Sequence, residues 1–275
     1  MKKSILLVSL ISLTLSACVK PLPRKMQIDA ESAKESFNKK ISIFPLDDSV
    51  IISGKDISIE PREENTVYTI SGYFDGQIKV KTKNTVIKLK NAYLENSSGK
   101  PAITSEAKME LSSVKDSENY IVSRGRSLLK RAAAQSKRGL VLGGSGTMYI
   151  KGSVCHGVEA EEVKIKGSGN LFVEGSQRGS AFSCEDFAVE PEKSFSAYIL
   201  NSKNGIKADR TISIKSGFFH LYSNGTALKT DTRHESPKFA HIITLEGGKF
   251  YTYQNGCLYE TDTFLNNATI EEIEG

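Results

Sequence analysis

The sequence predicts an all-β chain wound as a single-stranded parallel β-helix, and three observations predict it. A gapless internal repeat comes first: "LVLGGSGTMYIKG" at 140–152 and "VKIKGSGNLFVEG" at 163–175 align at an offset of 23. Second, a shorter pattern of small, apolar, any, small, carboxylate recurs as "AITSE" from Ala102, "GVEAE" from Gly157, "AFSCE" from Ala181, "GIKAD" from Gly205 and "ALKTD" from Ala227. Third, helical periodicity is confined to residues 127–137, and strands this short cannot bury a face alone. Stacking successive units of about 20–31 residues buries a shared apolar column, which is the logic of a solenoid. A β-sandwich also alternates strands and turns. Unequal but recurrent spacing favours coils, whose loops absorb insertions.

Residues 1–17 read as a targeting segment: Lys2 and Lys3 precede an apolar run over 5–15 that is too short to span a bilayer. Leu15-Ser16-Ala17-Cys18 resembles the lipobox of bacterial lipoproteins. That resemblance implies acylation of Cys18, palmitate among its chains, and a lipid-anchored place in the bacterial cell envelope (outer membrane, cell surface or periplasmic face). Val19, not Asp, follows the anchor, so nothing argues for retention at the inner membrane. Residues 18–44, with Pro21, Pro23 and the polar run "DAESAKESFNKK" carrying one or two marginal helical turns, read as a tether, and 45–275 as the β-helix.

Cys155, Cys184 and Cys257 have no paired spacing and read as small buried side chains. The net charge of +5 is partly local, because residues 124–138, "RGRSLLKRAAAQSKR", hold six basic side chains and no acid. This stretch reads as a solvated loop insertion with a short helix, against the alternative of a patch for phosphate-bearing membrane or acidic glycan. Nucleic acid is not a partner for an envelope protein.

Further copies extend the repeat. "ISIKSGFFHLYS" from Ile212 and "ITLEGGKFYTYQ" from Ile243 fit the frame, and "FAVEPEKSFSAYIL" from Phe187 is an expanded copy. The stretch 204–225, "NGIKADRTISIKSGFFHLYSNG", has an Asn-Gly pair at each end, a hairpin signal when read alone. In register with the other copies it is one complete coil.

Stacking puts equivalent positions in line, about 4.8 Å apart. One column is acidic: Glu106, Glu161, Glu185, Asp209 and Asp231, with Glu260 extending it. Carboxylates so close must be neutralised, splayed or bridged by a cation, and calcium suits such a donor set. The competing reading pairs each acid with a turn N–H or with neighbours such as Lys164, Lys207 and Arg210. The other column is aromatic: Tyr149, Phe172, Tyr198, His220 and Tyr251 sit between inward-facing apolar positions and therefore point out. Outward rings offer a platform for sugar faces, or they stack on one another to stabilise the sheet.

The segment "YTISGYFDGQIKVKTKNTVIKLKNAYLENSSGKPAI" (68–103), followed by repeated "NGI" and "I-x-I-x-[SG]-G" units, resembles the carbohydrate-binding-domain family of right-handed parallel β-helices over about residues 60–262. The resemblance implies binding of acidic, pectin-like polysaccharide and bound calcium, without established catalysis. The chain departs from the family's Asp-Gly turns: His156, Arg178, Asn204, Asn224 and Asn255 stand before the glycines. That substitution removes carboxylate donors and puts calcium in doubt. The leading expectation is thus a lipid-anchored, non-catalytic carbohydrate binder. An adhesin or envelope scaffold with protein partners is the alternative. A polysaccharide lyase is the third, with Arg178 and Lys207 near Glu185 and Asp209 as its base candidates. The four His (156, 220, 234 and 241) have no partner at motif spacing.

Overall fold

A computed structural model describes residues 28–125, 132–191, 194–231, 241–253 and 256–273. His234, Asn255 and the whole of residues 1–27, with Cys18 and the targeting segment, lie outside the described residues. The described chain forms stacked coils whose strands pair in parallel, each with the coils before and after it, so the expected β-solenoid is what forms.

Each coil contributes one strand to each of three faces. The first face runs through Asp56–Ile59, Gln77–Val80, Ile103–Ser105, Ala132–Ser136 and His156–Glu159, then the leading parts of Ser180–Val189 and Asn204–Ile214, then Leu228–Thr230 and Tyr259–Glu260. The second face includes Met109–Ser113, Gly139–Gly144, Glu162–Ile165, Ile242–Leu245 and Thr263–Asn266. The third includes Glu118–Ser123, Thr147–Gly152, Asn170–Glu174, Ser196–Ser202, Phe218–Ser223 and Lys249–Thr252. The offset of 23 is realised residue by residue: Leu140 pairs with Val163 and Met148 with Leu171.

Alternation sorts the side chains. Met148, Ile150, Leu171, Val173, Phe219 and Leu221 all join the continuous interior core. The Gly-Ser-Gly turns stack as closely as backbones can: Gly144 has φ +98°, and a Cβ there would sit 2.1 Å from the Ser113 carbonyl oxygen of the preceding coil. Only glycine fits such a position. The 204–225 stretch is one coil, not two hairpins. The Gly205 N–H donates to the Thr226 carbonyl at 3.1 Å, and the Asn224 N–H donates to Ser202 at 2.9 Å.

Antiparallel strands close the N-terminal end, with Ser42–Phe44 on Val67–Asp75 and Val50–Ser53 on Asp56–Ile59. Three sequence expectations are corrected here. The tether expected over 18–44 is folded from residue 28 onward. Asp29 caps the helix Ala30–Lys34 by accepting from the Ser32 N–H at 3.1 Å. Ile28, Ala30 and Phe37 give this polar run an apolar side, and they dock it as a strap on the outside of the third face.

The described part of the basic insertion is likewise no helical loop. Ala132–Ser136 is a first-face strand in which Ala134 pairs with Ile103 on one side and Val158 on the other. Ala133 and Ala134 are fully buried. Helix propensity loses to pairing on both sides and burial in the core. Residues 126–131 lie outside the described residues. Finally, Cys155 and Cys184 are buried as expected, but Cys257 is exposed because it sits in the turn before the last coil.

Candidate functional site

The third face carries an outward aromatic ladder longer than the sequence motif showed. Strand register aligns Tyr73, Tyr93, Tyr120, Tyr149, Phe172, Tyr198, His220 and Tyr251, one per coil. From Tyr93 to Tyr251 the ring centroids are 5.3, 4.5, 4.7, 4.3, 4.7 and 4.9 Å apart, and no two neighbouring planes are inclined by more than 20°. These spacings match the distance between strands. The ring faces therefore lie against one another along the solenoid axis. What reaches solvent is the ring edges and the phenol hydroxyls, so a sugar cannot stack on an interior rung's face. Tyr222 and Tyr253 form a second stacked pair on the same flank, 4.2 Å apart.

Burial acts on part of the ladder. It pushes the Tyr93, Tyr120 and Tyr149 phenols up and the His220 imidazole down, because the charged form of each would lose its water.

The strap covers the head of the ladder. Phe37 packs against Tyr93 and Tyr120 at 5.4 and 5.7 Å. The Tyr93 hydroxyl donates to the Ala30 carbonyl at 2.6 Å. At one end of the strap, the Ile28 N–H donates to Glu174 Oε2 at 2.9 Å and Lys151 Nζ donates to the Ile28 carbonyl at 3.0 Å. Further along, Lys34 reaches Glu95, a carboxylate only 2% exposed, at 2.5 Å. Arg124 Nε lies 3.0 Å from the other oxygen of Glu95 and also pairs with Glu31. Beyond the strap, Tyr149, Phe172, Tyr198 and Tyr251 are half-buried, and the hydroxyls of Tyr198 and Tyr251 have no partner among the described residues. Tyr73, Tyr93 and Tyr120 were not among the aromatic positions expected. Their signal was an aromatic followed by a core residue, as in Tyr93-Leu94, Tyr120-Ile121, Tyr149-Ile150 and Phe172-Val173.

The acidic column forms at the corner between the first and second faces, but its members do not face one another unpaired. The unrecognised copy at Ala132–Ser136 puts Lys137 in line between Glu106 and Glu161, with Lys137 Nζ 3.9 Å from Glu106. Arg138 Nη1 donates to both oxygens of Glu161 at 3.1 Å. Glu185 pairs with Arg210 at 3.3 Å, and Lys207 serves Asp209 at 3.2 Å and Asp231 at 3.7 Å. Glu260 is not in the column, a correction to the expected extension: it lies beside Lys229, with which it pairs. Two residues further on, Asp262 continues the line past Asp231 instead. Each of these carboxylates thus lies beside a basic side chain, Lys207 being shared by Asp209 and Asp231, and this donor set does not fit a calcium cage. Among the described residues no cluster of three or more His, Cys, Asp or Glu side chains is poised to hold a metal.

Of the expected base candidates, Lys207 does lie beside Asp209, whereas Arg178 is remote from Glu185. Arg178 and Glu185 stand at opposite ends of the Ser180–Val189 strand's first-face portion, and Lys207 is engaged by Asp209 and Asp231. His156 Nδ1 accepts from the Ser180 N–H at 3.0 Å, and His241 Nδ1 lies 2.8 Å from the Asp209 carbonyl oxygen. Both make contacts that hold one coil to the next.

No curated protein sequence matches the chain. The solved structure of a polysaccharide lyase-like protein from C. thermocellum, a gadolinium derivative, resembles it with a TM-score of 0.58. At 15% identity over 83% of this chain and 92% of that one, the likeness is one of fold. A single family model matches twice, over residues 53–163 and 159–273. The two matches meet within the stacked coils, so they record an internal repeat and not a domain boundary. Together they span most of the sequence, and the chain belongs to the family described as carbohydrate-binding domain-containing protein.

Proposed function

We propose that this protein holds a polysaccharide, acidic in character, along the outer flank of its third face and does not cleave it. The observation that carries the reading is the open part of the aromatic ladder. Tyr198 and Tyr251 present hydroxyls without a partner among the described residues beside half-buried ring edges, in register with the coils and fixed by stacking on both sides of Tyr198. A rigid row of donors and apolar edges suits an extended chain of sugars, because little side-chain entropy is lost on binding. Contact is by hydrogen bond and ring edge, not by face stacking. Calcium is not required by this reading, since the carboxylates are already neutralised.

The lipobox-like segment supports anchoring through Cys18, which would present the flank outside the cytoplasm. Labelling with a palmitate analogue in a bacterial host checks this, and Cys18→Ser is expected to abolish the label. Affinity electrophoresis against a panel of neutral and acidic polysaccharides, in EDTA, tests the binding. Retardation by at least one of them is expected. Migration unchanged by every polysaccharide would overturn the proposal.

A further inference from the structure

The docked strap creates a groove that the repeat itself does not contain. Its volume is about 670 Å3, and it lies between strap residues 36–42 and the corner where the second face turns into the third. Backbone contact holds the strap there: the Tyr73 N–H donates to the Lys39 carbonyl at 2.8 Å, and a Cβ on Gly72 would lie 2.4 Å from the Lys40 carbonyl oxygen. Three lysines line the groove, Lys39 and Lys40 from the strap and Lys90 from the solenoid, with Glu118 as the only acid among the described residues lining it.

Charge is what sets this place apart. Along the acidic column, lysines and arginines are spent on carboxylates of the same or a neighbouring coil. Lys39, Lys40 and Lys90 have no ion pair among the described residues, and Asn38 and Ser71 beside them have no side-chain hydrogen bond there. The groove therefore offers uncommitted N–H and O–H donors around an excess of positive charge. Ammonium groups that are close together raise one another's energy, and an oxyanion between them relieves it.

We infer that this groove is an anion-binding subsite that takes the carboxylate or sulfate groups of a charged glycan by direct contact with Lys39, Lys40 and Lys90, with no bridging metal. The inference rests on the carbohydrate reading above and gives it a place where charge is read, next to the covered head of the ladder. All three lysines are exposed, so their removal leaves the core intact.

The test compares the full chain with Lys39→Ala/Lys40→Ala/Lys90→Ala and with a control, Lys100→Ala/Lys203→Ala/Lys249→Ala, which removes three other exposed lysines without ion pairs. Affinity electrophoresis in EDTA uses polygalacturonate, its fully methyl-esterified form, dextran sulfate and dextran. The groove variant is expected to lose tenfold or more in affinity for a charged polymer, and the control less than threefold, with equal melting temperatures for all three proteins. Which charged polymer depends on the groove tells carboxylate from sulfate. Equal losses in the two variants, or equal retention of charged and uncharged forms by the wild type, would overturn the subsite but leave the carbohydrate reading standing. A wild type retarded by none of the four on this panel, or by any broader one, would instead overturn the reading beneath it.

Discussion

Replacing Phe172 separates the structural role of the ladder from its binding role. The ring stacks on Tyr149 at 4.7 Å and on Tyr198 at 4.3 Å, with planes inclined by 20° and 5°. Each aromatic pair contributes about 0.5–1.5 kcal/mol beyond the area it buries, so two pairs amount to roughly 1–3 kcal/mol. The side chain is half-buried, and burial adds about half of the roughly 1.5–3 kcal/mol due to a fully buried Phe. Phe172→Ala is therefore expected to destabilise by about 2–4 kcal/mol. Phe172→Leu keeps much of the burial and loses the stacking, so about 1–3 kcal/mol is expected. Both are read from the midpoint of urea unfolding at constant slope. A loss below about 0.5 kcal/mol in both variants would mean that the stacked rings do not support one another, and the structural reading of the ladder would fail.

The remaining predictions concern the strap, the turns and the ion pairs. Glu95→Gln removes the buried carboxylate that Lys34 and Arg124 share; breaking a buried pair costs about 3–5 kcal/mol, and the effect should localise as faster amide exchange over residues 28–40. Protection there equal to wild type would count against the latch. Gly144→Ala places a Cβ against the Ser113 carbonyl at positive φ and should cost at least about 2 kcal/mol, measured by the same urea titration. Glu190 lies between Lys164 and Lys215, whose hydrogen bonds hold its carboxyl down to about 2 from an ordinary 4.5. Its folded pKa is depressed, so its contribution is present above about pH 4.5 and is lost as the pH falls toward 2. The melting temperatures of wild type and Glu190→Gln should accordingly differ at pH 7 and converge near pH 2.

Much of the fold was legible because the solenoid repeats a local rule. Gly144 and Gly167 recur at the same turn, and the apolar alternation of Met148-Tyr149-Ile150 returns in Leu171-Phe172-Val173, so register and facing could both be read. The strap was not legible. Ile28, Ala30 and Phe37 have no period of their own, and their apolar side is defined only by the rings they cover. Ala132–Ser136 was hidden by composition, since a run of alanines reads as helix until strand pairing on both sides claims it.

That one missed copy had a consequence at the candidate site. Without Lys137 in line, Glu106 and Glu161 looked like adjacent carboxylates in need of a cation. Glu260 was misplaced for a related reason: 31 residues separate Leu228 from its partner Tyr259, and the longer coil shifts the acid by two positions. The outward direction of Tyr149, Phe172, Tyr198, His220 and Tyr251 was legible from alternation, but the direction of their ring faces was not. Ring orientation depends on the neighbour one coil away, which a local motif does not contain.

Binding along the flank is tested most directly by Tyr198→Phe/Tyr251→Phe. This pair removes the two hydroxyls that have no partner among the described residues while keeping both rings in the stack. Calorimetric titration with a polysaccharide that the wild type retains should show affinity reduced about tenfold or more, since two hydrogen bonds are worth roughly 1–3 kcal/mol together. The melting temperature should stay unchanged. Affinity equal to wild type, with the fold intact, would place the glycan elsewhere on the molecule and contradict the proposed site.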